Sequence, residues 1–162
     1  TRSGGTRMTS TELSSLRGKK ICALDVGTKR IGVAVCDEMH ILVSTRPVIM
    51  MDDDVVENLR QRCAADRIEA LVIGVPRHHD DRTTPIITFI EEFVTRVRSN
   101  VSIPVYEADE AFSTQEARSL MISGGTKKKK RQTKGVKDQM AAAVILRDVL
   151  EEVRALPQRP LP

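Results

Sequence analysis

Aromatic residues are nearly missing: the chain of 162 residues has no Trp, one Tyr and three Phe. A module that grips single-stranded nucleic acid by stacking bases needs several aromatic platforms, so Tyr106 and three Phe argue against that binding mode. The 40% apolar content must then build a core from Val, Ile, Leu, Met and Ala. Cysteine is scarce as well. Cys22, Cys36 and Cys63 are odd in number and far apart, which suits neither a disulfide framework nor a zinc knuckle. Buried, reduced thiols in a reducing compartment are expected. Long apolar runs are missing too: no stretch approaches the roughly 20 residues of a membrane span, and no apolar segment follows the basic N-terminal residues. A soluble, cytoplasmic protein with no membrane partner is the expectation.

The chain is long enough for one ordinary core and too short for two large ones. Its formal charge of +4 conceals a lopsided distribution. Lys127, Lys128, Lys129, Lys130, Arg131, Lys134 and Lys137 put seven positive charges into eleven residues with no acid between them. Removing those seven from the 26 Lys and Arg leaves 19 basic against 22 acidic residues. The basic character is thus one patch on a slightly acidic protein. As a bland reading it is a solvated loop; as a functional one it meets a polyanion, most commonly nucleic acid.

Residues 1–18 carry Gly, Ser, Thr and Arg without apolar periodicity and are expected to be disordered. A single domain is expected over 19–153, with a disordered tail over 154–162. Ile21 to Asp25 and Ile31 to Cys36 are apolar runs joined by Val26-Gly27-Thr28-Lys29-Arg30, which predicts a hairpin. Ile41 to Ile49 reads as a third strand, with Pro47 marking a sheet edge. Val55, Val56, Leu59 and Cys63 recur at helical spacing between Asp53 and Arg67. Ala70 to Val75, closed by Pro76, has the continuous apolar pattern of a buried parallel strand. Thr84-Pro85 starts a helix that continues through Ile86, Ile90, Phe93 and Val97. Ile103 to Glu107 is a fifth strand. Ser113-Thr-Gln-Glu116 is a capping box for a short helix stopped by Gly124-Gly125. The basic run follows as a loop, and Val136 to Val153 is the last helix. This order predicts a mixed five-stranded α/β sheet, an antiparallel three-strand meander plus parallel strands, flanked by helices.

Three acids stand where such a fold gathers ligands. Asp25 ends an apolar strand and precedes Gly27, where the backbone can be approached closely; as a plain turn residue it would cap the Asp-x-Gly-Thr turn. Asp109 and Glu110 close the fifth strand at its carboxyl end, where open α/β sheets place ligands, although an acid before a helix is also favoured by the helix dipole. Asp138 shares a helix face with Ala141, Ala142, Ile145 and Val149, so it sits on the apolar stripe. A carboxylate there needs a partner: a lysine, the helix dipole, or a cation shared with other carboxylates. Hard divalent cations such as Mg2+ and Mn2+ prefer such oxygen ligands. Lys29 and Arg30, beside Asp25, extend the basic path toward these acids.

Four separated blocks carry a resemblance. Ala23-Leu-Asp-Val-Gly-Thr-Lys-Arg-Ile-Gly-Val-Ala-Val-Cys-Asp37, Leu71-Val-Ile-Gly-Val-Pro76, Asp109-Glu-Ala-Phe-Ser-Thr114 and Lys137-Asp-Gln-Met-Ala-Ala-Ala-Val-Ile-Leu146 resemble, in order, the YqgF/RuvX family over about residues 20–152. The resemblance implies an RNase H-like fold and metal-dependent cleavage of nucleic-acid phosphodiesters, in ribosomal RNA precursor maturation or Holliday junction resolution. It implies Asp25, Glu110 and Asp138 as catalytic residues and ligands of Mg2+ or Mn2+. Two departures stand out. Ala111 occupies the place of the family's usual arginine after the acid pair, and Arg77-His78-His79-Asp80-Asp81 replaces a loop that normally reaches an Asp-Gly pair. The two histidines read as a polar loop at the rim of the site rather than as a transition-metal site.

Two other classes compete with a nuclease. Asp-x-Gly-Thr also occurs in the phosphate loop of sugar kinases, actin and Hsp70, but those proteins close two such domains around a nucleotide. A non-catalytic RNA-binding module of the same fold is the second, and clustered carboxylates gain such a module nothing. No base-reading motif separates RNA from branched DNA as the partner, and the oligomeric state is not legible.

Overall fold

The first two strands leave and return along one hairpin. In the computed structural model, which describes residues 8–76, 84–110 and 134–157, with the backbone alone at 110 and 134–138, β1 (Ile21–Val26) pairs antiparallel with β2 (Arg30–Cys36). Gly27 N–H donates to the Arg30 carbonyl at 3.0 Å and tightens the turn. A Cβ at Gly27 would stand 2.9 Å from that same carbonyl oxygen, so the turn requires glycine. Next, β3 (Val43–Met50) pairs antiparallel with β2 and lies at the sheet edge, as Pro47 predicts. Ile41 and Leu42 are exposed and precede the strand rather than opening it.

The chain then alternates helix and strand: α2 (Val55–Ala65), β4 (Ala70–Pro76), α3 (Pro85–Asn100), β5 (Val105–Glu110) and α4 (Lys134–Ala155). Thr84 caps α3 through its side chain, with Pro85 in the first turn. Ile87 rather than Ile86 joins Ile90, Phe93 and Val97 on the buried face of α3. The fifth strand starts at Val105, after Pro104, and runs three residues past the expected end. β4 pairs parallel with both β1 and β5, giving the order β3-β2-β1-β4-β5 with β2 alone antiparallel to the rest. That order and polarity are the RNase H-like arrangement. The expected helix over 113–125 and its glycine stop lie outside the described residues.

The two sheet faces differ in bulk. On one, Leu24, Val33, Leu71, Ile73 and Val75 pack with Leu59 of α2 and Phe93 of α3. On the other, Ala23, Ala34, Ala70, Val72 and Ala108 meet Ala142, Ile145, Leu146 and Val149 of α4. Small residues on both partners let α4 settle close to the strands. The close fit brings the start of α4 toward the sheet.

One expectation is corrected here. Residues 8–18 are not without structure: α1 (Ser10–Ser15) is opened by a capping box between Thr9 and Glu12, and Met8, Leu13 and Leu16 are buried in the α4-side core. The apolar positions Met8, Leu13 and Leu16 are too few and unevenly spaced to show periodicity, so the capping box is the legible signal. At the other end, α4 runs to Ala155, and Arg17 donates to the carbonyls of Leu156 (3.0 Å) and Pro157 (3.3 Å). Residues 1–7 and 158–162 lie outside the described residues.

Candidate active site

Because β1, β4 and β5 run parallel, their carboxyl ends share one end of the sheet, and each brings a sequence-predicted block there. Asp25 is half-buried and stands opposite Gly32 on β2. Leu24 pairs with Ile73 on β4, so the next position in register beside Asp25 is Gly74. Gly74 in turn pairs with Ala108, and Pro76 with Glu110. Strand alternation puts Asp25 on the same face as Ala23 and puts position 110 in the row of Tyr106 and Ala108. Ala23, Ala108 and Tyr106 all belong to the α4-side packing.

α4 supplies the third position. Asp138 lies in its second turn, three and four residues before Ala141 and Ala142, which are buried against that same face. Backbone register therefore brings positions 25, 110 and 138 to one face at one end of the sheet. The carboxylates of Glu110 and Asp138 lie outside the described side chains, as do the residues Ala111, Lys127, Lys128, Lys129, Lys130 and Arg131 and the loop with His78 and His79. Lys134 falls inside α4, not in the preceding loop, and Lys137 lies in the helix as expected.

Lys29 occupies the β1–β2 turn and Arg30 opens β2, both near Asp25 in the chain. Lys29 is exposed, and its carbonyl accepts from Met51 N–H at 2.9 Å, which ties the turn to the end of β3. Asp109 pairs in register with Val75, on the opposite face from position 110, and its Oδ1 is buried without a hydrogen-bond partner among the described residues. A buried acceptor of that kind calls for a donor or a cation.

Among the described residues, which omit the carboxylates of Glu110 and Asp138, no group of three or more His, Cys, Asp or Glu can hold a metal. The donor set of the three acids is all oxygen and fits a hard divalent cation. Thiols are not part of it. Cys22, Cys36 and Cys63 are free and buried, and burial pushes the Cys36 thiol up to about 11, so it stays protonated. No described helix is long and apolar enough to cross a membrane.

Two features escaped the sequence reading. Gly32 and Gly74, on either side of Asp25, are isolated glycines inside apolar strands, a pattern that signals close approach of another group. Gln139, beside Asp138, donates from Nε2 to the Arg46 carbonyl of β3 at 2.6 Å; no sequence motif announces that contact.

An RNase H-like sheet with acids at the ends of β1 and β5, on either side of β4, and on the helix packed over that face has the arrangement of a nuclease. The chain belongs to the RuvX family, whose model, described as a Holliday junction resolvase, matches residues 19–152. Curated relatives named "Putative pre-16S rRNA nuclease" include one from Flavobacterium psychrophilum, 33% identical over 81% of this chain and 96% of its own length. A second, from Azobacteroides pseudotrichonymphae, is 36% identical over 83% of this chain and 98% of its own length. Among solved structures, Thermus thermophilus RuvC in complex with a Holliday junction substrate aligns with a TM-score of 0.47 at 12% identity, covering 85% of this chain and 97% of that one.

Proposed function

We propose that this protein is a divalent-metal-dependent endonuclease that hydrolyses phosphodiester bonds of structured nucleic acid, either a small-subunit ribosomal RNA precursor or a four-way DNA junction. The observation that carries this reading is the convergence of positions 25, 110 and 138 on one sheet face at the carboxyl ends of β1 and β5. Asp25, Glu110 and Asp138 would hold Mg2+ or Mn2+. When bound, such a cation lowers the pKa of an attacking water and offsets charge building on the scissile phosphate.

The chain's own residues do the rest. Gly32 and Gly74 keep the row beside Asp25 free of side chains, so the backbone of a nucleic acid can come close. Lys29 in the adjoining turn and Arg30 at the start of β2, with Lys127, Lys128, Lys129, Lys130, Arg131, Lys134 and Lys137, neutralise phosphates and hold the strand over the carboxylates. None of these contacts reads bases, so the selection of substrate rests on shape.

The test is cleavage of a small-subunit ribosomal RNA precursor and of a four-way DNA junction, each with Mg2+ and with Mn2+ and with Asp25→Asn as control. Metal-dependent cleavage of either substrate that the control lacks supports the reading. Binding of both without cleavage under any metal condition makes the protein a non-catalytic binder.

A further inference from the structure

The edge strand β3 contains one residue too many. Ile31 of β2 pairs with Ile49, but Val33, two residues on, pairs with Arg46, so three steps of β3 match two of β2. The extra residue falls at Pro47-Val48, where proline has no N–H to give to the ladder. A bulge like this disrupts the ladder locally, and side chains from both sheet faces bond to the backbone carbonyls at and beside it. Arg62 of α2 donates to Pro47 O at 2.6 Å and to Val48 O at 3.3 Å. Gln139 of α4 donates to Arg46 O at 2.6 Å, while the Arg46 guanidinium pairs with Asp66 Oδ2 at 3.2 Å. The bulge is thus held between the two helical layers.

The neighbour of Gln139 gives this arrangement its consequence. An α-helix is stiff over a few residues, so fixing one residue against the sheet fixes the next at about 1.5 Å along the axis and about 100° around it. Among the described side chains, the buried apolar residues of α4 run from Ala141 onward, further along the helix. Ahead of them, among the described side chains, Gln139 supplies the hydrogen bond between the first two turns and the sheet. Asp138 is the adjacent residue. A cation with ligand distances near 2.1 Å tolerates little error in where that residue stands.

We propose that Gln139 is a positioning residue for metal binding: its amide, anchored on the β3 bulge carbonyl, sets the depth and rotation of α4 at Asp138. The inference rests on the three-carboxylate reading above. It makes the bulge at Pro47 part of the metal-binding apparatus, with Arg62 bracing the bulge from the other face. Gln139 touches no substrate and acts through the helix.

The experiment replaces Gln139 with Met, which keeps length and loses the donor, and uses whichever nucleic acid the wild type cleaves. Half-maximal cleavage should require about tenfold more Mn2+, KM for nucleic acid should stay within about twofold, and saturating Mn2+ should restore kcat. The rise in melting temperature on adding MnCl2 at a fixed low concentration should shrink, independently of any cleavage assay. Wild-type metal dependence in both measurements, with Asp138→Asn inactive, overturns the positioning role and leaves the carboxylate site standing. So does a loss of kcat that excess metal does not restore. If Asp138→Asn cleaves like the wild type, the three-carboxylate reading fails and this role falls with it. Should Gln139→Met not fold, Gln139→Asn, which draws the amide back by one methylene, is measured the same way: a raised Mn2+ requirement supports the proposal and an unchanged one overturns it.

Discussion

Asp25 stands directly opposite Gly32 across the β1–β2 pair, and the next position in register on its other side is Gly74. Two glycines flanking one strand-end carboxylate give up strand propensity and packing on both sides, a cost that structure alone does not repay. Gly32→Ala puts one methyl beside the carboxylate. Cleavage should fall about tenfold or more, because small misplacements at a reacting centre are amplified, whereas melting should drop by only a few degrees if overpacking costs about 1 kcal/mol. Full activity in Gly32→Ala would show that the glycine serves the sheet and not the site.

Asp37 organises the far end of the sheet, where its Oδ1 accepts from the N–H groups of Ile41 (2.8 Å) and Leu42 (3.0 Å). The Leu42 N–H, followed by that of Ile41, holds the carboxyl below its ordinary value despite an opposing effect of desolvation. A depressed carboxylate contributes stability above its unfolded pKa and loses it as pH falls through the folded one. Asp37→Ala should therefore melt below wild type at pH 7, with the gap closing as pH drops from the ordinary aspartate range through the lowered value. Thermal melts of both proteins between pH 7 and pH 2 decide it; a gap independent of pH assigns the loss to packing.

Leu16 is fully buried against the α4 side of the sheet, in a segment that composition alone reads as structureless. Leu16→Ala should cost about 2–5 kcal/mol in a denaturant titration, the usual penalty for emptying a core leucine site. A change within error would remove α1 from the folding unit.

The inner strands β1, β2 and β4 were legible because each has an apolar run bounded by Gly, Pro or a charged residue, and β4 lacks polar alternation altogether, as in Ala70-Leu-Val-Ile-Gly-Val. Strand ends were less so. Ile41 and Leu42 look like strand residues but stand exposed ahead of β3, since the Asp37 turn holds their backbone N–H groups. The register that brings positions 25 and 110 to one face depends on two successive pairings, β1 with β4 and β4 with β5, between segments far apart in the chain, which no local pattern encodes. Gln139 was invisible for the same reason: its partner carbonyl belongs to a residue 93 positions away, beside a bulge.

The basic run invites a measurement of charge rather than of shape. Replacing Lys127, Lys128, Lys129, Lys130 and Arg131 with Gln should weaken nucleic-acid binding several-fold at moderate salt and flatten the slope of log affinity against log salt, with melting unchanged. The flattening counts the phosphates that those residues neutralise. An unaltered slope returns the segment to a solvated loop.

The sharpest division between a metal centre and ordinary surface acids lies in how charge removal acts on stability. Asp25→Asn, Glu110→Gln and Asp138→Asn keep side-chain volume while each loses the charge that holds a divalent cation, so each should lose most cleavage. If the three carboxylates crowd one site in the metal-free fold, relieving one charge should leave the metal-free melting temperature unchanged or raise it. Mg2+ or Mn2+ binds the folded state preferentially and should raise melting of the wild type, less so of each variant. Capping or ion-pairing acids behave in the opposite way: their substitution lowers stability, and metal makes no difference. Cleavage rate and metal-dependent melting shift, measured together on the same four proteins, separate the two cases residue by residue. A variant with wild-type cleavage and a full metal shift takes its residue out of the site, and if that residue is Asp138, the role assigned to α4 goes with it.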